Sequence, residues 1–341
     1  MNHQDGYHFD VFDHYSIVLK EIEGFVHSFP VTSLFQLPIW FQIKDGMFMA
    51  TLKKDGQIVA LLLAEKKRFL FDVMFGPLYH DVEEGALICQ HMFQYLRKEG
   101  ASFLRISPGF STSQPNLEYQ LKKRGFKISG LESYKTLITN LSESEIEIFK
   151  KISNHHKKAI KKSETNGLEV LISDDIELFL VNYSKFVEVY QLKFSPLHDT
   201  LYIRKLFFKF QSSGQLKMFF VIKNKEVIGG LAFFTIENKS YYAYGFSDKS
   251  AKVPVLHFCF WKAIMHFKDL GYNSLDWGGF EESKSDKRLD NIHLFKKRFG
   301  GEVFEYQKSF VLELKWFLKY EWFRKIKSLL SFWRNQFIAK K

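Results

Sequence analysis

Two periodicities of hydrophobic and polar residues alternate along this chain. The segments MFMATLKKD and QIVALLLAE meet at Asp55-Gly56, a dipeptide typical of tight turns, and therefore predict a hairpin of two strands. Apolar residues in ALICQHMFQYLRKEG (86–100) recur every three or four positions, which predicts a helix that ends at its glycine. Residues 8–45 are predicted to be mainly helical, because SIVLKEIEGFVHSF is amphipathic.

The second half of the chain shows the same alternation. Residues 142–167 begin with serines and acids and end with lysines and glycine, which matches the helix dipole and the usual cap residues and predicts a helix. The segments LKMFFVIKN, EVIGGLAFFTIEN and SYYAYGFSD predict a second set of strands. Hairpins that alternate with helices predict α/β or α+β domains with mixed, mostly antiparallel sheets.

One succession of strand, turn, helix, glycine stop and strand occurs twice in the chain. Gly100 and Phe110 in the first copy return as Gly271 and Phe280 about 170 residues later. A duplicated unit predicts two similar lobes that enclose a cleft, and ligand sites favour such interfaces.

Composition indicates a folded protein without a secretory signal. The chain has 341 residues, of which 46% are hydrophobic and 17% aromatic, so it can bury a large core. Cys89 and Cys259 lie in apolar helical patterns and are predicted to be buried thiols in a reducing compartment. The polar start MNHQDGYHFD lacks a basic region followed by an apolar core, and VIGGLAFFTI is too short to span a bilayer. These features predict a cytoplasmic protein.

The net charge of +11 allows two interpretations. Polyanions such as RNA, phosphorylated carriers or anionic lipid would be attracted to a basic protein. A basic surface also serves solubility alone, and the charge does not choose between these roles.

Several familiar catalytic and metal-binding motifs are absent, among them GxSxG, GxxxxGK[ST], HExxH and CxxC. His155 and His156 are adjacent and point to different faces of a helix, so they form a poor metal pair and no metal site is expected. A covalent serine mechanism is likewise unsupported.

The densest unusual region runs from SLDWGGF (274–280) to HLFKKRFGGEVFEY (293–306). Asp276 ends an apolar strand, and the glycine pair after it lets other groups approach the backbone closely. Lys296 stands shortly before a second glycine pair. Glycine turns at strand ends and a solvated basic helix would also produce this pattern, but the combination is more specific than each part.

These motifs resemble those of the Fem family of aminoacyltransferases, which build peptidoglycan interpeptide bridges, and of related GNAT-like acyltransferases. The resemblance covers roughly residues 30–310 and rests on Y-x-Y-G-x-S, D-x-G-G and L-x-x-F-K-x-x-F-G-G in the second half. In the first half it adds Q-x-x-x-W-x-x-x-K, a Gly-Pro and a strand ending in R-x-x-P. The matching residues are Gln36, Trp40, Lys44, Gly76, Pro77, Arg105, Pro108, Tyr242, Tyr244, Gly245, Ser247, Asp276, Gly278, Gly279, Leu294, Phe295, Lys296, Phe299, Gly300 and Gly301.

The resemblance implies the fold class α/β (α+β), with two tandem GNAT-like acyltransferase lobes that contain mixed, mainly antiparallel sheets. The lobes would comprise residues 1–145 and 146–311, followed by an amphipathic C-terminal helix at 312–341. That helix has apolar residues every three or four positions between basic ones, so it would lie on an anionic membrane surface or pack against the second lobe.

The activity implied by the resemblance is N-acyl transfer, with an aminoacyl group moving from aminoacyl-tRNA to an amine of a peptidoglycan-type envelope precursor. Lys296 would stabilise the negative oxygen of the tetrahedral intermediate or contact the adjacent tRNA end. Asp276 would orient the amine or organise its loop, and Lys44 would hold precursor phosphate. The other predicted substrate-binding residues are Trp40, Arg105, Tyr242, Tyr244, Ser247 and Phe295. Since an aminoacyl ester is already activated, such a site must supply position and positive charge rather than a nucleophile.

The donor and the acceptor stay open. The loop SDKSAKVP (247–254) lacks the glycines with which GNAT enzymes usually cradle the pyrophosphate of acyl-CoA, although Lys249 and Lys252 are candidate phosphate contacts. This favours aminoacyl-tRNA over acetyl-CoA or another acyl-CoA, with no permanently bound cofactor. Ser107 replaces an acidic residue common in the family, and the chain lacks a long helical arm, so the acceptor would differ from lipid-linked muropeptide. A C-terminal helix on the membrane would instead suit a lipid-linked envelope precursor. The alternatives are an acyl-CoA-dependent transferase for amino sugars of a surface polysaccharide and a non-catalytic RNA- or lipid-binding protein.

Overall fold

A computed structural model describes most of the chain as two compact units. The first unit is Met1–Ser133 with Tyr306–Lys341, and the second is Tyr134–Glu305. The described residues are 6–12, 19–28, 34–100, 102–109, 117–131, 133–190, 199–280 and 287–313.

The described part of the first unit contains one mixed sheet and four α-helices. Its strands, numbered along the whole chain, are β1 Tyr7–Phe12, β2 Met47–Lys54, β3 Gln57–Lys67, β4 Leu70–Met74, β5 Leu78–Tyr79, β6 Phe103–Ser107, β7 Lys127–Ile128 and β15 Phe310–Glu313. Its helices are α1 Leu19–His27, α2 Ile39–Ile43, α3 Val82–Lys98 and α4 Glu118–Lys123. The strand order is β1-β2-β3-β4-β6-β15-β7, and β5 pairs with β3. The predicted hairpin at Asp55-Gly56 and the predicted helix before Gly100 are both present as β2-β3 and α3.

The second unit repeats this design with helices on both faces of its sheet. Its strands are β8 Lys135–Asn140, β9 Glu169–Ile172, β10 Leu216–Lys223, β11 Glu226–Ile236, β12 Lys239–Ser247, β13 Ser274–Gly279 and β14 Glu302–Glu305. Its helices are α5 Glu145–Lys151, α6 Asn154–Thr165, α7 Ile176–Val189, α8 Thr200–Ser212, α9 Val255–Asp269 and α10 Lys287–Lys297. The strand order is β14-β8-β13-β12-β11-β10-β9.

The sequence repeat corresponds to a structural repeat. In the first unit β4 leads through α3 to the parallel strand β6, and in the second β12 leads through α9 to the parallel strand β13. Gly100 and Gly271 follow these two helices with φ angles of 79° and 81°, where glycine carries no steric penalty. Two mixed, mainly antiparallel sheets confirm the predicted fold class.

The boundaries between the units differ from those predicted at 145/146 and 311/312. Strand β8 lies between β13 and β14, so the second unit begins at Tyr134. Strand β15 pairs with β6 and β7, so Phe310–Glu313 returns to the first sheet. Residues 314–341, which hold most of the predicted amphipathic helix, lie outside the described part. Within the described part, no helix is long and apolar enough to cross a membrane.

The prediction that residues 8–45 are mainly helical is wrong at its start. Tyr7–Phe12 is the edge strand β1, which pairs antiparallel with β2. Tyr7, Phe9 and Val11 pack on the core of the first unit, and the polar residues His8 and Asp10 alternate with them. This alternation has a period of two, which is the period of a strand.

The helix predicted over 142–167 is two helices. Ser144 begins α5 with the expected capping box, in which its side chain and that of Glu147 bond each other's backbone N–H. Ile152 then adopts an extended conformation with ψ of 136°, and Ser153 caps α6. The backbone N–H of Ser153 donates to the carbonyl oxygen of Arg298 at 2.8 Å, so the break connects α5 and α6 to the end of α10.

The second sheet carries different aromatic residues on its two faces. Phe233 on β11 contacts Phe260 and Phe267 of α9, whereas its neighbour Phe234 contacts Phe207 and Phe210 of α8. Helix α9 therefore covers one face of the sheet and α8 the other. The predicted burial of both cysteines is confirmed.

Candidate active site

In the second unit, the parallel strands β12 and β13 diverge after a short paired stretch. Their described pairing runs only from Lys239 opposite Ser274 to Tyr241 opposite Asp276. Strand β13 then bulges, and Gly279 pairs with Thr136 of β8 instead. The rest of β12 is thereby separated from β13.

Lys296, in the last turn of α10, extends its amine to this divergence. Its Nζ donates to the carbonyl oxygen of Gly279 at 3.1 Å and lies 5.9 Å from the ring centroid of Tyr242 on β12. Gly278 has a φ of +71°, and a Cβ built on it would lie 3.9 Å from the same amine. The glycine pair after Asp276 thus gives the lysine access to the backbone, as the motif predicts.

Burial lowers the pKa of Lys296. Loss of water lowers the pKa of Lys296 from its ordinary value to about 8, although the carboxylate of Asp276 opposes the shift. The amine is therefore mostly charged at neutral pH and close to its titration point. A cation with little surrounding water interacts strongly with any negative charge that develops near it.

Asp276 is held by two hydrogen bonds to one oxygen. The hydroxyl of Thr136 and the backbone N–H of Gly278, the latter at 2.7 Å, both donate to its Oδ1. Burial raises the pKa of the carboxyl, while those hydrogen bonds and the charge of Lys296 act in the opposite direction. Since Oδ2 receives neither bond, it is the oxygen suited to accept a proton. Thr136 was not predicted from sequence, because nothing local links it to a residue 140 positions away.

The two tyrosines of the YAYG segment separate. Tyr242 pairs with Phe233 and Tyr244 with Ala232, so Ala243 is an extra residue that forms a β-bulge. The ring of Tyr242 packs on Phe260 of α9 at 5.0 Å. The ring of Tyr244 instead contacts Tyr183 of α7 and Phe207 of α8. The structure therefore places Tyr242 beside Lys296, whereas Tyr244 packs against α7 and α8 on the opposite face of the sheet.

Gly245 makes room for Tyr242. A Cβ at this glycine would lie 2.7 Å from the Tyr242 hydroxyl oxygen and 2.8 Å from Leu231. The glycine of the motif thus fixes where the tyrosine hydroxyl can lie.

Phe295 is a packing residue in this structure. Its ring lies 5.0 Å from His156 and 5.0 Å from His257, and 5.8 Å from Phe260. Its carbonyl oxygen is 3.1 Å from His156 Nε2. Phe295, the residue before Lys296, therefore fixes the end of α10 on α6 and α9.

In the first unit, Trp40 and Lys44 contact each other, and each also bonds another residue of the protein. Trp40 is 6% exposed, and its indole N–H donates to the Leu34 carbonyl at 2.7 Å. Lys44 lies over this ring at 5.5 Å and pairs with Glu65 at 3.1 Å. A phosphate held by Lys44 would have to share the lysine with that carboxylate.

Arg105 belongs to the same series of ion pairs. Its Nε donates to Asp72 Oδ1 at 2.8 Å, and its Nη2 donates to Oδ2. Lys67 bonds Asp72 at 3.0 Å and Glu65 at 3.3 Å, which links Arg105 to Lys44. This geometry gives Arg105 a structural role, because the Nε/Nη2 edge of its guanidinium is occupied by Asp72.

The remaining predicted contacts lie away from Lys296. Ser247 ends β12 opposite Gly229, roughly 16 Å along the strand from Tyr242. Lys252 is exposed in the turn before α9, with a φ of 51°, while the side chain of Lys249 lies outside the described part. Lys252 remains a candidate phosphate contact at the start of α9.

The second glycine pair is required by the packing of α10 against α5. Gly300 has a φ of +85°, and a Cβ on it would lie 2.6 Å from both the backbone oxygen and the Cβ of Lys151. We expect Gly300→Ala to lower the free energy of unfolding by about 2–3 kcal/mol, since left-handed strain and a backbone clash act together. Urea denaturation monitored by circular dichroism measures this loss.

Gly271→Ala is the matched control for this substitution. Gly271 has a similar φ of +81°, but a Cβ there would meet nothing within 4 Å. It should therefore cost only about 1 kcal/mol, from the backbone conformation alone. Equal losses for the two variants would mean that Lys151 moves aside and that Gly300 is not needed for close approach.

Comparison with known proteins supports the same fold. The acetyltransferase (GNAT) domain family matches residues 150–288. The structure of FemX is similar with a TM-score of 0.74 and 17% identity, over 91% of this chain and 98% of FemX. A tandem GNAT protein from the clavulanic acid biosynthesis pathway has a TM-score of 0.59 and 10% identity, over 90% of this chain and 98% of its own.

L-PGS from Bacillus licheniformis is also similar, with a TM-score of 0.59 and 11% identity, over 86% of this chain and 91% of that protein. No curated protein sequence matches this chain. The chain therefore has a Fem/GNAT-type acyltransferase fold with two tandem GNAT-like lobes, and the resemblance predicted from its motifs is confirmed at the level of fold.

Proposed function

We propose that this protein is an N-acyltransferase that moves an aminoacyl group from aminoacyl-tRNA to an amine of a peptidoglycan-type envelope precursor. The observation that carries the proposal is the half-buried amine of Lys296 beside Tyr242, at the point where two parallel strands diverge. The similarity to FemX supports this choice of reaction.

The residues of this site suit acyl transfer without a covalent intermediate. An amine attacks the ester carbonyl of the donor, and the carbonyl oxygen becomes negative as the tetrahedral intermediate forms. Lys296 then stabilises that oxygen, because its ammonium is preorganised by the Gly279 carbonyl and has lost much of its water. Asp276 accepts the proton that the attacking amine releases, at its Oδ2. The tRNA ribose oxygen leaves with the electron pair of the broken ester bond and takes the proton from Asp276, which yields an amide, a ribose hydroxyl and the regenerated carboxylate.

A second candidate uses an acyl-CoA donor and acetylates an amino sugar of a surface polysaccharide. The match of residues 150–288 to the acetyltransferase (GNAT) domain family favours it. Both candidates use the same oxyanion stabilisation by Lys296 and differ in the group that leaves.

Parallel donor assays distinguish the two candidates. Tag-free protein is incubated with tRNA charged with radiolabelled amino acids or with labelled acetyl-CoA, and each reaction contains UDP-linked muropeptide precursors and an amino-sugar glycan. We expect label from aminoacyl-tRNA to appear in the muropeptide fraction, and ribonuclease treatment of the donor should abolish the transfer.

The opposite result is equally clear. Label that enters the glycan from acetyl-CoA alone replaces the first candidate with the second. Absence of transfer from either donor to either acceptor would favour the non-catalytic alternative, in which the basic chain binds RNA or lipid on an acyltransferase fold.

A further inference from the structure

Three histidines meet where the first turns of α6 and α9 pack together. His155 and His156 lie on α6 and His257 on α9, and one ring nitrogen of each lies within 4.8 Å of the other two. The rings of His156 and His257 are 4.4 Å apart. The third imidazole changes the interpretation of the adjacent pair, because it comes from a different helix and faces the same point.

His156 has a buried nitrogen without a partner. Only 1% of the residue is exposed, and its Nε2 lies 3.1 Å from the Phe295 carbonyl oxygen. A carbonyl can only accept a hydrogen bond, so Nε2 carries the proton and Nδ1 carries a lone pair. Within the described part of the protein this Nδ1 has no hydrogen-bond partner. A buried acceptor left unpaired in this way is costly unless something binds it.

This arrangement is the one that metal-binding histidines use. A ligating imidazole commonly donates its other N–H to a backbone carbonyl, which fixes the tautomer and aims the free nitrogen at the metal. His257 is partly buried, and its ring lies 4.4 Å from that of His156 and faces the same point from α9. His155 is exposed and leaves the point accessible from solvent.

We propose that His155, His156 and His257 bind one divalent transition-metal ion, with Zn²⁺ as the ion that suits three imidazoles and a water molecule. A zinc–nitrogen distance of about 2.0–2.1 Å requires ligand nitrogens about 3.4 Å apart, so the exposed His155 ring rotates inward on binding. The ion would connect α6 and α9 and, through the Phe295 carbonyl, fix the turn of α10 that carries Lys296.

Arg298 limits the affinity of this site. Its positive charge reaches His156 and His257, where it lowers the pKa of both rings, and it would also repel a bound cation. The first turns of two helices add positive potential of their own. We therefore expect exchangeable binding rather than a permanent structural zinc, and Arg298→Gln should tighten it several-fold.

The test is metal titration of tag-free protein that has been stripped with a chelator. We expect one equivalent of Zn²⁺ to bind by isothermal titration calorimetry and Co²⁺ to give the visible ligand-field bands of a nitrogen-rich site. His155→Gln and His257→Gln should each weaken binding at least about tenfold. His266→Gln, on the same helix as His257 but packed on Phe219, is the matched control and should bind like the parent.

A second measurement does not depend on variants that alter the core. Bound Zn²⁺ should slow amide hydrogen exchange in the last turn of α10, because His156 then holds the Phe295 carbonyl more firmly. The proposal is overturned if the parent protein shows no saturable binding, or if His266→Gln weakens binding as much as His257→Gln. Unchanged Zn²⁺ affinity in both His155→Gln and His257→Gln would overturn it too.

Discussion

Lys296→Met is expected to lower the rate of acyl transfer at least about 100-fold while the protein stays folded. Methionine fills a similar volume but cannot stabilise a negative oxygen, and it removes a charge that burial makes costly. Initial rates with saturating donor measure the effect, and circular dichroism verifies the fold.

Lys297→Met is the matched control, since Lys297 is the exposed neighbour on the same helix. Removing the Lys297 charge should change the rate of acyl transfer less than about twofold, if the effect of Lys296 depends on the location of its amine and not on the basic charge of the helix. Full activity in Lys296→Met would exclude the proposed oxyanion role and favour the non-catalytic alternative.

The pH dependence gives a separate readout of the same lysine. Because its pKa is lowered to about 8, the ammonium is present below pH 8 and lost above it, so the rate should fall as the pH rises through 8. The arginine of Lys296→Arg keeps its charge at any accessible pH. The rate of this variant should therefore not fall as the pH rises through 8, even if it is lower than that of the parent at every pH. Asp276→Asn removes the carboxylate that raises the pKa of Lys296, so the decline should move to lower pH.

The fold was predictable wherever a local pattern determines it. Asp55 and Gly56 specify a hairpin turn because both adopt positive φ angles of 50° and 80°. The break between α5 and α6 was not predictable, because it depends on a hydrogen bond from Ser153 to the carbonyl of Arg298 far along the chain. The placement of β8 and β15 is also non-local, since a strand sequence does not specify its neighbours.

The candidate site shows the same distinction. Sequence motifs identified Lys296 and Asp276, and the structure brings both to the divergence of β12 and β13. In a regular strand, Tyr242 and Tyr244 would point to the same face, because they are two residues apart. The bulge at Ala243 adds one residue, so the two side chains point to opposite faces of the sheet. His257, the third histidine of the proposed metal site, could not be predicted from the sequence, because only the packing of α9 on α6 brings it to the other two.

In the first unit, internal ion pairs engage charged residues that the sequence motifs assign to substrate binding. Lys44 and Arg105 occur at motif positions, yet Glu65 and Asp72 hold them. The Asp72 side chain is 1% exposed, so its charge needs internal partners. Stability of the first unit, rather than substrate affinity, should therefore respond most to changes in this network.

Arg105→Met is expected to lower the free energy of unfolding by about 3–5 kcal/mol, because it leaves the buried Asp72 carboxylate with Lys67 as its remaining partner. Asp72→Asn should cost less, since the Arg105 side chain is 26% exposed and its charge can reach water. Adding Asp72→Asn to Arg105→Met should restore part of the loss. Urea denaturation measures the free energies, and hydrogen exchange in β4 and β6 locates the change. The exposed pair Glu118 and Lys122 on α4 is the control, whose removal should cost less than about 0.5 kcal/mol.

Acid unfolding should give a second measure of the ion pair between Asp72 and Arg105. Burial alone would raise the pKa of Asp72, but the hydrogen bonds and charges of Arg105 and Lys67 outweigh it and hold the pKa below its ordinary value. A carboxyl with a lower pKa in the folded state stabilises the protein above its unfolded pKa of about 3.9, and that stabilisation is lost as the pH falls through the folded pKa. In Arg105→Met the dominant opposing charge is gone, so acid unfolding should begin at higher pH than in the parent. Identical acid transitions in the two proteins would show that Arg105 does not stabilise the Asp72 carboxylate.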